Sequence, residues 1–216
     1  MEINKYIEHT LLKQDATKKE LLQLFDEAKQ HKFFGVCINP CNVMLAAGYL
    51  QGSGIKIVTV AGFPLGASLT EIKAFEAKKA VEQGADEVDM VLSVQAVKDA
   101  DYNYVLNDIK TVKKAVGDKI LKVIIETDLL TKEEIIKCCE LIKEAGADFA
   151  KTSTGFVKNG VGAKVEDIKL MYETLKDSNV KIKASGGIKT REEALALIQA
   201  GALRLGTSSG VKLIIS

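Results

Sequence analysis

One pattern recurs along this chain and constrains its fold more than any other feature: a helix start signal, a helix stop signal and then a short apolar segment. The start signal is Ser or Thr followed three residues later by Glu, a capping box in which each residue caps the other's backbone N–H group. The stop signal is Gly followed by Ala, because glycine readily adopts the left-handed conformation that ends a helix. The capping boxes are Thr17 with Glu20, Ser68 with Glu71, Thr131 with Glu134 and Thr190 with Glu193, and the stop glycines are Gly84, Gly146 and Gly201.

Eight short segments are predicted to be strands that alternate with helices. This alternation in a chain of 216 residues favours a closed (β/α)8 barrel, or TIM barrel, with a short N-terminal helix, and an open doubly wound sheet is the alternative. No linker interrupts the pattern, so we expect one domain over residues 1–216, with Thr152 to Lys164 as an active-site loop. The predicted strands are 9–12, 35–38, 57–61, 87–91, 121–126, 149–151, 180–184 and 203–206.

The composition points to a small substrate. The formal net charge is +1 and the charged residues are interleaved, which argues against a nucleic-acid or membrane partner. Charged residues also interrupt residues 1–30, so neither a signal peptide nor a membrane span is predicted and a cytoplasmic location is expected. The four cysteines are too few for a disulfide framework and are expected to be reduced.

Charged residues occupy strand positions where a barrel normally carries aliphatic side chains. Asp89 and Lys151 each lie five positions after a stop glycine, which predicts equal heights in the barrel. With Lys183 at the end of the next strand, two amines and a carboxylate would converge at the C-terminal mouth. Burial and mutual repulsion would keep one lysine neutral, and a neutral lysine can attack a carbonyl to form an imine. The alternative is structural salt bridging.

Other polar residues have less specific interpretations. Lys122 is expected in the same cluster, either paired with Glu126 or Asp89 or taking part in the chemistry, whereas Lys181 is expected to be a solvated strand-end residue. The only histidines are His9 and His31, so a catalytic metal is not expected. Cys37 and Cys41, spaced as C-x-x-x-C, are expected to pack against the core and not to bind metal, and His9 is expected to pack or to form a hydrogen bond in the first strand. No dinucleotide or P-loop motif is present.

A phosphate site is predicted in the loops after strands seven and eight. Gly186 and Gly187 allow close approach of a ligand to the backbone, and Ser208 and Ser209 add hydroxyl donors. Loops after these two strands bind phosphate in many barrels, although the glycine pair is also compatible with a simple turn.

Seven segments in order along the chain form a recognisable set of motifs. They are Ile7-Glu8-His9-Thr10-Leu11-Leu12-Lys13, Val36-Cys37-Ile38-Asn39-Pro40, residues 84–91, Lys122-Val123-Ile124-Ile125-Glu126-Thr127, Lys151-Thr152-Ser153-Thr154-Gly155-Phe156, Lys183-Ala184-Ser185-Gly186-Gly187-Ile188 and Gly206-Thr207-Ser208-Ser209-Gly210. Together these segments resemble the deoxyribose-phosphate aldolase family of class I aldolases. The resemblance implies reversible cleavage of 2-deoxy-D-ribose 5-phosphate to D-glyceraldehyde 3-phosphate and acetaldehyde without a cofactor. It also implies that Lys151 forms the imine, Lys183 tunes its pKa and Asp89 relays protons, while Gly155, Gly186, Gly187, Ser208 and Ser209 hold the phosphate.

The sequence departs from the family pattern in a few places. Glu8 replaces the usual Asp of the first motif, Gln14 replaces a Pro, and Ser93-Val94-Gln95 replaces a typical N-x-G. The tyrosine that some longer members carry near the C-terminus is expected to be absent, which leaves proton transfer to water and Asp89.

Two alternative functions remain open at this point. One is a Schiff-base aldolase for another phosphorylated sugar, and the other is a phospho-sugar-binding regulatory protein. In either case the expected partners are small phosphorylated sugars or aldehydes, and apolar outer helix positions leave room for a homodimer.

Overall fold

The computed structural model describes residues 2–215, and it confirms the predicted (β/α)8 barrel. Eight parallel strands pair in sequence order, and β8 pairs with β1 to close the sheet, which excludes the open doubly wound alternative. The strands are β1 (Ile7–Leu11), β2 (Gly35–Ile38), β3 (Lys56–Ala61), β4 (Glu87–Val91), β5 (Ile120–Ile124), β6 (Phe149–Lys151), β7 (Lys181–Ser185) and β8 (Arg204–Thr207).

Helices cover the outside of the barrel, and a 3-10 helix, Ile3–Tyr6, precedes β1 as the predicted N-terminal helix. In the part of the chain that the structure describes, no helix is both long enough and apolar enough to cross a membrane. The α-helices are α1 (Lys18–Gln30), α2 (Val43–Tyr49), α3 (Thr70–Glu82), α4 (Val94–Lys98), α5 (Tyr102–Val116), α6 (Lys132–Ala145), α7 (Val165–Leu175), α8 (Arg191–Gln199) and α9 (Gly210–Ile215).

The helix start signals are confirmed at Thr17, Thr131 and Thr190, where both bonds of the capping box form. The predicted box at Ser68 is wrong, because α3 begins at Thr70 after Leu69, which makes no side-chain cap. The start of α3 is fixed instead by burial, since the Thr70 hydroxyl donates to Asp108 Oδ1 of α5 at 2.9 Å and Lys73 Nζ lies 2.7 Å from Asp108 Oδ2. Tertiary packing therefore overrides the local capping signal here.

The strand boundaries agree with the sequence prediction to within two residues, and the largest error at a strand end has a physical cause. The predicted fifth strand extended to Glu126, but β5 ends at Ile124. Glu126 has φ 61° and ψ 64°, in the left-handed region, so the chain turns out of the sheet at this residue. The loop predicted from Thr152 to Lys164 connects β6 to α7 with these bounds.

The tilt of the strands places Asp89 and Lys151 at one height. Asp89 pairs in register with Lys122, and Lys122 pairs with Phe149. In a barrel of eight strands and shear eight, positions of equal height advance about one residue per strand. The residue level with Asp89 two strands later is therefore Lys151, two positions beyond Phe149, as the spacing to the stop glycines predicted.

Candidate active site

The barrel interior contains a cluster of charged side chains around Asp89. Lys151 Nζ and Lys183 Nζ both donate to Asp89 Oδ2, at 2.7 and 2.6 Å, and Lys122 Nζ donates to Asp89 Oδ1 at 2.8 Å. Burial alone would raise the pKa of Asp89, but the three lysines hold it well below its usual value. The structure thus brings the three sequence-predicted catalytic residues into direct contact around an ionised carboxylate.

Lys151 is the lysine of this cluster that borders an open cavity. It is 3% exposed and lines the cavity at the C-terminal mouth, whereas Lys122 and Lys183 are 0% exposed and are not among the described lining residues. Burial lowers the pKa of Lys151, Asp89 raises it, and the charge of Lys183 lowers it further, with a net decrease. The amine nearest to the cavity is therefore the one that is most readily neutral.

Lys183 lies behind Lys151, between two carboxylates. Its Nζ donates to Glu8 Oε2 and to Asp89 Oδ2. Burial would lower the pKa of Lys183, but Asp89 and Glu8 raise it well above the ordinary lysine value, so this side chain is an ammonium. Gly206 makes room for it, because a Cβ there would lie 3.1 Å from Lys183 Cε.

The floor of the cluster is a further set of ion pairs that the sequence analysis identified only in part. Lys122 Nζ lies 2.5 Å from Glu87 Oε2 and 3.4 Å from Glu8 Oε1, and Arg204 Nη1 lies 3.4 Å from Glu8 Oε1. Of the two partners predicted for Lys122, Asp89 is confirmed, while Glu126 instead accepts hydrogen bonds from Thr154. Lys181 is exposed, as predicted.

The cavity in front of Lys151 has a volume of ≈ 250 Å³, and all five residues predicted to hold phosphate line it. It also has two lysines that the sequence analysis missed, Lys13 and Lys189, which follow β1 and β7. Basic residues in the loops that follow strand ends were the signal that could have found them. No carboxylate is among its described lining residues, so the cavity favours an anion. The phosphate-loop residues are Gly155, Gly186, Gly187, Ser208 and Ser209.

The remaining polar candidates lie away from the cavity or are chemically inert. His9 is buried and its Nε2 lies 2.7 Å from Glu27 Oε2 of α1, outside the barrel interior. Cys37 is buried beside the charged cluster, and burial raises the pKa of its thiol to about 11. Both residues therefore pack in the fold, as predicted, whereas the prediction is wrong for Cys41, which is exposed.

A lysine with a lowered pKa that borders a cavity, next to a charged lysine and a carboxylate, is an arrangement that suits Schiff-base chemistry. Residues 3–213 match the model of the DeoC/LacD family aldolases. The chain belongs to this family. It is therefore an aldolase, a carbon–carbon lyase, as the resemblance in the sequence implied.

Individual relatives are similar to this chain over nearly its whole length. A deoxyribose-phosphate aldolase of Mycoplasma capricolum subsp. capricolum is 53% identical over 215 residues, which cover 100% of this chain and 96% of the relative. One from Thermococcus gammatolerans is 55% identical over 218 residues, covering 99% of this chain and 96% of the relative. The tetrameric deoxyribose phosphate aldolase of Aeropyrum pernix superposes with a TM-score of 0.88 at 32% identity, covering 99% of this chain and 90% of that one.

Proposed function

We propose that this aldolase reversibly cleaves 2-deoxy-D-ribose 5-phosphate to D-glyceraldehyde 3-phosphate and acetaldehyde, with Lys151 as the amine that forms the imine. The observation that carries the assignment is the position of Lys151, which borders the cavity while Lys122 and Lys183 are sealed beneath it. Incubation with acetaldehyde and borohydride followed by peptide mass mapping tests it, because reduction fixes an imine on the lysine that carries it. Relatives named for this substrate support the substrate assignment.

The chemistry follows from an iminium ion that accepts electrons. Neutral Lys151 Nζ attacks the aldehyde carbon of the open-chain sugar to give a carbinolamine. Uptake of one proton and loss of water then give the iminium, and the final hydrolysis returns this proton. Removal of the proton from the hydroxyl two carbons away then breaks the C–C bond, and the bonding electrons move into the iminium to give an enamine. Glyceraldehyde 3-phosphate leaves, the enamine carbon is protonated, and hydrolysis releases acetaldehyde and the free lysine.

The charged residues around Lys151 favour its neutral form and its proton transfers. Lys183 stays charged between Glu8 and Asp89, so it acts on Lys151 through its field and not as a nucleophile. Asp89 Oδ2 accepts hydrogen bonds from both amines, so it is placed to relay protons to and from Lys151. The interior holds four formal cations against three carboxylates, so a neutral Lys151 brings the formal charge to zero: the cations are Lys122, Lys151, Lys183 and Arg204, and the carboxylates are Glu8, Glu87 and Asp89.

The phosphate of the substrate is assigned to the glycine and serine loops opposite Lys151. Replacement of Ser208 by Asp should raise KM for deoxyribose 5-phosphate at least about tenfold and leave KM for free deoxyribose within about twofold, because a carboxylate repels the dianion. Steady-state kinetics with both sugars measures this, and Ser208→Asn, of similar size and without charge, is the control. An equal rise in KM for the two sugars would show that these loops do not bind the phosphate.

Two broader assignments concern the extent of the domain and the location of the protein. We assign residues 1–216 to one barrel domain, supported by a family match over residues 3–213, although Met1 and Ser216 lie outside the described residues. We assign the protein to the cytoplasm, and its four free cysteines fit a reducing compartment.

We also propose a homodimer formed through the first turns of α3. Leu69, Ile72 and Phe75 are spaced three residues apart, so they share one face, and they are 68%, 56% and 61% exposed. Phe75→Asp should give a monomer in light scattering, whereas Tyr172→Asp, an exposed position on α7, should leave the assembly unchanged. A parent protein that is monomeric at micromolar concentration would contradict the proposal.

A further inference from the structure

Two carboxylates between β5 and α6 hold the two ends of the loop that connects β6 to α7. Glu126 holds the start of this loop: it accepts hydrogen bonds from the backbone N–H of Thr154, at 3.1 Å, and from the Thr154 hydroxyl. Glu126 is 3% exposed and has φ 61°, a conformation that is unfavourable for a residue with a Cβ. The surrounding contacts therefore hold Glu126 in a backbone conformation that is rare for residues other than glycine.

Asp128 holds the end of the same loop. Its Oδ2 accepts a hydrogen bond from the backbone N–H of Gly162 at 2.7 Å, and its Oδ1 lies 3.0 Å from Lys164 Nζ. Burial would raise the pKa of Asp128, but the Gly162 N–H and Lys164 lower it, so the group is ionised. Two residues apart in sequence, Glu126 and Asp128 thus fix both ends of a loop of thirteen residues, 152–164.

The loop held in this way forms one wall of the phosphate site. Ala163 N donates to Gly186 O at 3.1 Å, and a Cβ on Gly162 would lie only 2.4 Å from Gly186 C. Gly155 approaches Gly186 from the other side, with 3.8 Å between its ideal Cβ position and Gly186 Cα. A shift of the loop would therefore change the spacing between the glycines assigned to phosphate.

The two carboxylates do not touch the substrate cavity. Neither is among the described residues that line the cavity of Lys151. Both instead line a separate cavity of ≈ 50 Å³ behind the loop, together with Gly155, Gly186 and Gly187. They lie behind the phosphate-binding wall, where they can position it without taking part in the chemistry.

We propose that Glu126 and Asp128 form a carboxylate clamp that positions the β6–α7 loop for phosphate recognition. The clamp sets affinity for the phosphorylated end of the substrate and leaves imine formation at Lys151 unchanged. This inference rests on the phosphate site assigned above, and it adds two positioning residues that lie outside the sequence motif of that site.

Asp128→Ala is the main test. KM for deoxyribose 5-phosphate should rise about tenfold or more, because a small misplacement of binding groups is enough for such a loss. The kcat for this substrate and the KM for free deoxyribose should stay within about twofold of the parent values. The pH midpoint of borohydride trapping at Lys151 should not change. Asp128→Asn keeps an acceptor for the Gly162 N–H and should restore most of the affinity.

Asp148→Ala is the matched control. Asp148 Oδ2 also accepts a backbone N–H, from Leu121 at 2.8 Å, and lies 2.6 Å from Lys113 Nζ, but it precedes β6 at the opposite end of the barrel. It should lower the melting temperature as Asp128→Ala does, without a selective effect on the phosphorylated sugar. The clamp proposal is wrong if Asp128→Ala raises KM equally for both sugars. It is also wrong if Asp148→Ala raises KM selectively for the phosphorylated sugar.

A second pair of variants tests the other half of the clamp. Glu126→Gly suits the left-handed backbone and removes the carboxylate, so it should raise KM for deoxyribose 5-phosphate selectively, and Glu126→Gln should largely retain the parent value. Failure of the phosphate site itself is distinguishable, because Ser208→Asp would then also show no selectivity. A selective Ser208→Asp beside unselective Asp128 and Glu126 variants would overturn the clamp alone.

Discussion

Replacement of Lys151 by leucine should abolish aldol cleavage, with a fall in kcat of at least about 10⁴-fold, because Lys151 is the one lysine around Asp89 that lines the cavity among the described residues. The other two lining lysines, Lys13 and Lys189, are exposed. Leucine fills much of the buried volume without a charge, and Asp89 keeps two of its three lysine partners, so the variant should fold. A coupled assay for glyceraldehyde 3-phosphate release measures activity, and circular dichroism checks the fold.

Two controls make this result specific to the nucleophile. Lys181→Leu changes an exposed lysine at the start of β7 and should retain parental activity. The Lys151→Leu protein should also fail to incorporate acetaldehyde in the presence of borohydride. Trapped acetaldehyde found mainly on Lys183 would reverse the assignment of the two amines.

The barrel was predictable because its signals are local. A capping box, a stop glycine and an apolar strand each depend on a few neighbouring residues, and their repetition determines the fold class. The prediction was wrong where a distant contact determines the local structure. Thr70 begins α3 because it is buried against Asp108, which lies 38 residues away in α5.

The centre of the site was predictable for a related reason. Asp89 and Lys151 could be placed together because strand spacing and barrel tilt fix their heights, and no long-range information was needed. Ion pairs across the barrel are different, because Glu8 and Lys183 are 175 residues apart and meet only when the sheet closes. Asp128 was missed, and Glu126 was considered only as a partner of Lys122, because both carboxylates bond to backbone N–H groups of another loop.

The departures from the family pattern can now be placed in the structure. Glu8, which replaces the usual Asp, is fully buried. One of its carboxylate oxygens contacts Lys183, and the other lies 3.4 Å from both Lys122 and Arg204, so it connects Lys183 to the ion pairs on the floor of the cluster. Ser93 caps α4, because its hydroxyl oxygen accepts a hydrogen bond from the Ala96 N–H. The Glu8 departure therefore lies in the electrostatic environment of the amines, whereas the Ser93 departure is structural.

Lys183→Met should move the pH midpoint of imine formation at Lys151 upward, toward the ordinary lysine value of 10.5. Both Nζ atoms donate to Asp89 Oδ2, at 2.7 and 2.6 Å, so the two charges lie no more than about 5 Å apart and repel by at least about 3 kcal/mol at an effective dielectric near 20. Burial is the larger cause of the lowered pKa of Lys151, and it persists in the variant, so the midpoint should stop short of the ordinary value.

The direction of the activity change follows from the protonation state. Lys151 reacts when neutral, so its activity rises with pH through its pKa, and a higher pKa leaves less neutral amine at pH 7. Activity at neutral pH should fall at least about tenfold and partly recover in alkali. Initial rates of borohydride trapping between pH 6 and 11 measure the midpoint independently of turnover.

Two variants separate charge from packing in this experiment. Lys183→Arg keeps the positive charge beside Asp89 and should keep the parental pH midpoint even if the larger head group slows turnover. Lys181→Met makes the same substitution two residues earlier on β7, where the side chain is exposed, and should change neither midpoint nor rate. In Lys183→Met, Glu8 loses its nearest amine. Lys122 and Arg204 still lie 3.4 Å from Glu8 Oε1, so this carboxylate keeps two positively charged partners. A Lys183→Met enzyme that forms the imine with the parental midpoint would show that burial alone sets the pKa of Lys151.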